Sequence, residues 1–469
     1  MQNKSISIAI SVHNRHETAK ECVKQWRKYL PKNAKLFIVD DGSDVHFPGA
    51  DIRNEKAKGI AACKNQCLAL CDGADYIFLA DDDVWPKTKE WHLPYIESGL
   101  NHLCFTFDHF SNGNLNGRRK IKEENGISIW HEPCGLLLFF TKKCLEVVGG
   151  MDESYGAWGY EHLQLSRRIY NNGLIPQPYM DIANSLDLFH SLDYDQTITR
   201  SVDPAIRNRL GFINKKKYLQ DMASKAYIPY KQQTGVILTS YFTGVTDPQR
   251  GQKWDADINQ LNALAISAKE NNCNLHVIHD CFIKQQIMAF NHAFPNVSFE
   301  DVSHKWNEIK NPYFKRWFHY NSFISNKVNR IGENIFFVDC NDVEVLKNPF
   351  QIIRPGILYC GWEKDVIGCQ WMQNHHKSNF MQNFIKSNMK TPLLNAGVIG
   401  GRYHIVMEFL DRLCDMYEIL PDKERDVTDM PLFNWTLYSH FLNRFETGIK
   451  ITTEFKSFKA NSQSLFKHK

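Results

Sequence analysis

"KLFIVDDGSD", Lys35 to Asp44, ends a short apolar run with two adjacent aspartates, a glycine and another acid. The pattern returns more densely in "DYIFLADDDVWP", Asp75 to Pro86, where Asp81, Asp82 and Asp83 stand side by side. Short runs that are apolar throughout suit strands of a parallel sheet covered on both faces. In such sheets ligands bind in the crevice beyond the carboxyl ends of the strands. Three adjacent carboxylates repel one another unless a cation or hydrogen-bond donors compensate. Mg²⁺ and Mn²⁺ are typically held by one or two carboxylates plus substrate phosphates. The acids therefore point to a metal–diphosphate seat, the plainer alternative being turn formation by Asp-Gly. No Gly-rich phosphate cradle of the Walker or dinucleotide type accompanies them, which leaves metal and side chains to neutralise the phosphates.

Working outward, Ser5 to Val12 reads as an apolar strand. "NRHETAKECVKQWRKYL" follows, with Ala19, Cys22, Val23, Trp26 and Leu30 at helical spacing before Pro31. Leu36 to Val39 is a strand, Gly59 to Leu70 a helix and Tyr76 to Leu79 a strand, a βαβ rhythm that predicts a mostly parallel α/β sheet. Beyond Asp193 the texture becomes charged and rich in Asn and Gln, read as helical coverage plus a linker. A new series then opens with "GVILTSYF" (Gly235 to Phe242) and "CNLHVIHD" (Cys273 to Asp280). "NIFFVDCNDVEVL" (Asn334 to Leu346) again runs an apolar strand into spaced acids. The expected organisation is an α/β domain over 1–200, a helical linker over 201–233 and a second α/β domain over 234–469, alike in logic but not in literal sequence.

With 469 residues, 43% hydrophobic, the chain exceeds one ordinary core. A net charge of +4 excludes a polycation built to coat nucleic acid, and the clusters Arg118–Lys120 and Lys215–Lys217 read as solvated faces. No run of about twenty apolar residues is present to span a bilayer. The N-terminus reads as a strand rather than a signal peptide, and thirteen scattered cysteines do not suggest a disulfide framework, so cytoplasmic residence is expected. Cys63, Cys67 and Cys71 share one helical face and read as packing rather than as a metal site.

Residues 5 to 193 resemble the family-2 glycosyltransferases of the GT-A fold. The likeness rests on "SVHNRHE", "IVDDGSD", "GIAACKNQCL", "LADDDVW" and "GGMDESYGAWGYEHLQLSRRI", in that order. The resemblance implies a nucleotide sugar, a UDP-sugar foremost, contacted by Asp40, Asp41, Asn65, Asp81 and Asp82, with Asp83 ligating Mn²⁺ or Mg²⁺. Glu161 stands where the family keeps its acceptor base, but His162 replaces the usual acid after it, so either could be the base. His190 is a candidate third metal ligand, and Trp158 a candidate sugar-stacking residue or a core residue.

The second half resembles family-8 glycosyltransferases more loosely. "FFVDCNDVEVLKNPF" offers Asp339 and Asp342 as metal ligands, spaced one residue wider than the usual pair. "LLNAGVIGG" brings Asn395 and Gly397 toward a donor sugar, "TDMPLFNW" offers Asp429 as an acceptor-side acid, and Arg250 is a candidate diphosphate contact. The expectation is two GT-A-type domains in tandem, forming a metal-dependent and bifunctional glycosyltransferase. The alternative is one active site plus a degenerate acceptor-binding domain. A nucleotidyltransferase lacks its Gly-rich, Arg-containing opening loop here, and a carbohydrate-binding scaffold is the non-enzymatic rival. The acceptor is a glycan, a protein or a modified nucleic acid; a lipid-linked glycan would be reached peripherally, through patches such as "NPYFKRWFHY", which could equally pack inside.

Overall fold

The computed structural model describes residues 4–198 apart from 109, 112–113 and 116–117, and residues 202–469 apart from 232, 306–307, 328–332, 377, 421–427 and 458. The chain divides into two compact α/β units, Met1–Gln232 and Gln233–Lys469.

In the first unit the sheet strands are β1 (Ile6–Val12), β2 (Ala34–Asp40), β3 (Ile52–Arg53), β4 (Tyr76–Asp81), β5 (His102–Cys104) and β6 (Leu137–Thr141), in the spatial order β3-β2-β1-β4-β6-β5. The first four run parallel, and β6 is antiparallel to both β4 and β5. Every residue of β1 is buried, as a strand flanked on both faces requires. Register then decides where the acids go. Val12 lies level with Asp40 and Ser11 level with Asp81, so the carboxylates that end β2 and β4 share one edge of the sheet. Gly42 makes the turn after β2 with φ +68°; a Cβ there would sit 2.5 Å from the Lys56 and Ala57 backbone. Cys63, Cys67 and Cys71 are buried along helix Ile60–Leu70 and its end, within the core that also holds β1, β2 and β4.

The second unit repeats the arrangement with β7 (Gly235–Tyr241), β8 (Asn274–His279), β9 (Val297–Asp301), β10 (Asn334–Val338), β11 (Leu358–Val366), β12 (Pro392–Arg402) and β13 (Phe445–Glu446), ordered β9-β8-β7-β10-β12-β11-β13. Again four strands are parallel, and a long antiparallel strand, β12, follows. Leaving aside the edge strand β13, the two sheets have the same strand order in terms of chain position. The "NPYFKRWFHY" segment lies inside: Phe314, Trp317 and Tyr320 are buried in helix Pro312–Lys327.

The segment read as helical coverage plus a linker is helical over much of its length. It contains helix Pro204–Asp221, which belongs to the first unit. Asn214 on that helix donates to the carbonyls of Tyr155, Trp158 and Gly159 at 2.8, 2.8 and 3.1 Å. Tyr155 donates its hydroxyl to Asp221 at 3.0 Å, and Lys217 bridges Asp152 and Asp221. The loop ahead of Glu161 is thus fixed by residues that follow it in sequence by half a hundred positions or more.

Candidate active site

At the carboxyl edge of the first sheet lies a cavity of about 670 Å³, whose walls include Asp41, Asp81, Asp82, Asp83, Trp158, Glu161 and His162. Seven of the expected residues therefore meet there. Three others do not line it. Asp40 is fully buried, and its carboxylate accepts the Ser43 and Phe47 amides at 3.0 and 2.9 Å. It shapes the turn, and the nucleotide contact expected of it finds no support in this position. Asn65 binds the Met151 backbone through both ends of its amide, and also the Glu153 carboxylate. It clamps a loop instead of facing the cavity. His190 stacks on Trp85 at 4.6 Å and lies 3.5 Å from Asp195, because strand Phe189–Ser191 pairs it with Trp85. It does not line the cavity with the acids it was expected to join.

Asp41 does line the cavity, but both its oxygens are engaged, one by Asn54 and the Lys58 amide, the other by the Gly59 amide. It anchors the start of helix Ile60–Leu70. Two cations that the sequence reading passed over compensate the acid triplet. Arg15, from the loop after β1, pairs with Asp82 and, at 3.0 Å, with Asp83. Lys64 is 2% exposed; it lies 3.0 Å from Asp81 and donates to the Gly135 carbonyl. Burial opposes the charge on Lys64, but Asp81 and Glu161 outweigh it and hold the ammonium above its ordinary pKa. Burial pushes Asp82 and Asp83 up, Arg15 pulls both back, and the neighbouring carboxylates add to the rise.

The donor set suits a divalent cation in one specific respect. Asp82 Oδ2 and Asp83 Oδ1 are buried with no hydrogen-bond partner, and both residues line the cavity. Among the described residues no group of three His, Cys, Asp or Glu side chains is placed to hold a metal. The protein's share of a metal shell would then be these two carboxylates, with the remainder supplied by phosphate and water, as is common for Mg²⁺.

Glu161 begins helix Glu161–Asn171 directly after Tyr160, a non-glycine residue at φ +71°. Such strained backbone is concentrated at functional sites. Glu161 Oε1 accepts from His162 Nδ1 at 3.0 Å, while Oε2 is buried and unpartnered. Burial raises the Glu161 pKa, but the His162 hydrogen bond and charge, with Lys64 adding, bring it below the ordinary value. The carboxylate is therefore ionised at neutral pH. Trp158 carries the Arg207 guanidinium 4.4 Å over its ring, a cation–π contact on the cavity wall.

The second unit has a cavity of about 410 Å³ lined by Arg250, Asp339, Asp342, Asn395, Gly397 and Asp429, all six of the residues singled out there. Arg316 pairs with both Asp339 and, at 2.8 Å, Asp429, whose carboxylate also accepts Trp317 Nε1 at 2.5 Å. Burial raises the Asp429 pKa against the pull of Arg316, and burial with Asp339 raises that of Asp342. Asn395 donates to Glu363 at 2.6 Å and accepts the Gly397 amide at 2.7 Å. A Cβ on Gly397 would meet the His468 ring at 2.5 Å and Asp339 at 2.8 Å, so only glycine fits. Arg250 lies over Trp254 and is 3.6 Å from Asp247.

Comparison with known proteins gives a family match that falls within the first unit. Residues 7–146 match the family model for glycosyl transferase family 2. The chain is 29% identical over 240 residues to an uncharacterized glycosyltransferase of Acanthamoeba polyphaga mimivirus, spanning 46% of this chain and 91% of that protein. It is 30% identical over 134 residues to an uncharacterized glycosyltransferase of Rickettsia conorii, of which it spans 22%. Among solved structures, GalNAc-T7 with UDP, GalNAc and Mn²⁺ is 15% identical with a TM-score of 0.32, over 39% of this chain and 43% of that one. The mannosyltransferase PcManGT of Pyrobaculum calidifontis, in complex with GDP-Man and Mn²⁺, is 11% identical with a TM-score of 0.29, over 37% and 54%. The chain spans about half the length of these two structures.

Proposed function

We propose, from the premise that the chain is a glycosyltransferase with a family-2 domain in its N-terminal unit, that this unit moves a sugar from a UDP-sugar to an acceptor hydroxyl in a metal-dependent, inverting reaction. The observation that carries the reading is one cavity holding the paired oxygens Asp82 Oδ2 and Asp83 Oδ1 together with Glu161 Oε2, all buried and unpartnered. Mn²⁺ or Mg²⁺, held by Asp82 and Asp83, would act as a Lewis acid for the charge developing on the departing diphosphate. Glu161 Oε2 takes the proton of the acceptor hydroxyl as its oxygen bonds the anomeric carbon and the carbon–phosphate-oxygen bond breaks. His162 holds the carboxylate in place through Oε1. Lys64 and Arg15 lie against the acids as fixed counter-charges, and Trp158 offers the face on which a sugar ring stacks.

The second cavity supports a second reading, a further nucleotide-sugar site in a tandem GT-A-like unit. It rests on the shared strand order and on the six residues gathered beyond the first parallel strands. Here Asp339 and Asp342 are the proposed metal ligands and Arg250 the diphosphate contact. Asn395 and Gly397 approach the donor, and Asp429 lies on the acceptor side. The acceptors in view are a glycan, a protein or a modified nucleic acid. A cytoplasmic chain is part of the same reading, supported by thirteen free cysteines.

The test is nucleoside-diphosphate release from a panel of UDP- and GDP-sugars with Mn²⁺. Turnover of one donor that Asp83→Ala and Glu161→Gln abolish supports the first site, and a second donor dependent on Asp342 supports the other. No release and no calorimetric binding of any donor would overturn the transferase site as drawn.

A further inference from the structure

Helix Pro204–Asp221 has an inner and an outer face. Inward go Asn214, Lys217 and Asp221, tied to the loop ahead of Glu161, and Tyr218, whose hydroxyl meets that of Tyr179. Outward, Phe212 is 79% exposed, Leu219 59%, Ile213 53% and Ile206 45%. Between these bulky apolar side chains stand Arg209, Lys215 and Lys216, all exposed. The helix contains one acid, Asp221, and it is engaged by Lys217 and Tyr155. An outer face that combines exposed large hydrophobics with cations alone is unusual for a helix facing water.

We propose that this face docks on an anionic membrane surface. Its charge is complementary to phosphate headgroups, and its apolar side chains gain from entering the acyl boundary. Other occupants fit less well. A nucleic-acid backbone would attract the cations but give no return for Phe212, Leu219 and Ile213. A second copy of the helix would bring Arg209, Lys215 and Lys216 against their own kind. The eighteen residues span about 27 Å, enough to lie along a bilayer surface and too short and too charged to cross it. The same helix lends Arg207 to the wall of the first cavity, so docking brings that cavity beside the headgroups and fits an acceptor borne on lipid.

The test is flotation of the full chain with vesicles of phosphatidylcholine, with or without phosphatidylglycerol. The expected result is binding only to the phosphatidylglycerol vesicles. Binding should fall at least about tenfold in Lys215→Glu/Lys216→Glu and in Phe212→Ser/Leu219→Ser, and weaken in high salt for the wild type. All four side chains are exposed, so circular-dichroism melts should match the wild type and separate lost docking from lost folding. Flotation that is absent, or unchanged in both variants, overturns the proposal. So does a concentration-dependent dimer dissolved by Phe212→Ser/Leu219→Ser, or a preference for duplex DNA abolished by the lysine reversals. Vesicle binding needs no donor or acceptor, so it can fail or succeed independently of the transferase reading.

Discussion

The two units solve one electrostatic problem with different parts. Each ends its parallel strands in carboxylates beside a cavity, and each counters them with a half-buried arginine. In the first unit the acids are neighbours on one strand end, and Arg15 comes from the loop after the adjacent strand. In the second unit Asp339 and Asp429 come from separate elements, and Arg316 reaches them from the helix Pro312–Lys327. Strand order fixes where the carboxylates gather. Which side chain balances them is left to whichever element passes close by, so the balancing residue can differ while the architecture repeats.

The sharpest way to break this parallel is to remove the arginines. Arg316→Ala strands two carboxylates, one of them wholly buried, and should cost about 3–5 kcal/mol in urea unfolding. Arg15→Ala should cost a similar amount; a silent Arg15→Ala would show that the first acids are balanced by something else. Next comes chemistry. Asp83→Ala should lower donor turnover in the first unit at least about a hundredfold while sparing any donor dependent on Asp342, read as nucleoside-diphosphate release. Equal loss of both activities would mean that the sites are not independent.

Acid pH gives a third contrast. His102 is fully buried in the first unit, donates Nδ1–H to the Phe139 carbonyl and accepts at Nε2 from Ser166. Burial pushes its pKa down to about 4 from 6.5. The unfolded chain therefore binds a proton that the folded ring refuses, so stability falls as pH drops from about 6.5 to about 4. The loss amounts to about 3 kcal/mol. His102→Phe, which keeps the stack on Phe140, should flatten this part of a urea-midpoint profile. The smallest effect is expected of Gly397→Ala. The added methyl has no space against His468 and Asp339 and should cost about 1–3 kcal/mol in the second unit, with its donor turnover falling and that of the first unit unchanged.

Much of this architecture was legible in the chain because strands in covered parallel sheets are short apolar runs, and the residues that end them are read off directly. Asp41, Asp81, Asp82 and Asp83 could be assigned to a shared edge before any register was known. Lys64 and Arg15 lie within the very segments that carry the likeness, but the motifs do not mark them. Lys64 had a signal: it precedes the buried Cys67 and Leu68 by three and four residues, and so had to share their covered face. A lysine there must meet a carboxylate. Arg15 and Arg316 had none, since their reach depends on loop and helix placement. Asp40, Asn65 and His190 stand outside the cavity lining for a common reason. Whether a side chain enters a cavity or turns into its own loop is decided by backbone direction within a residue or two, and sequence spacing does not resolve that.

Asn214 holds three carbonyls of the loop that presents Trp158 and leads into Glu161, yet it lies well downstream of both. Domains fold from the N-terminus as the chain is synthesised, so the parallel sheet can assemble while that loop still has no partner for its carbonyls. The wall bearing Trp158 and Glu161 therefore lacks these three hydrogen bonds until Asn214 has been synthesised. A nascent chain halted before Asn214 would present that wall without the side chain that holds its carbonyls.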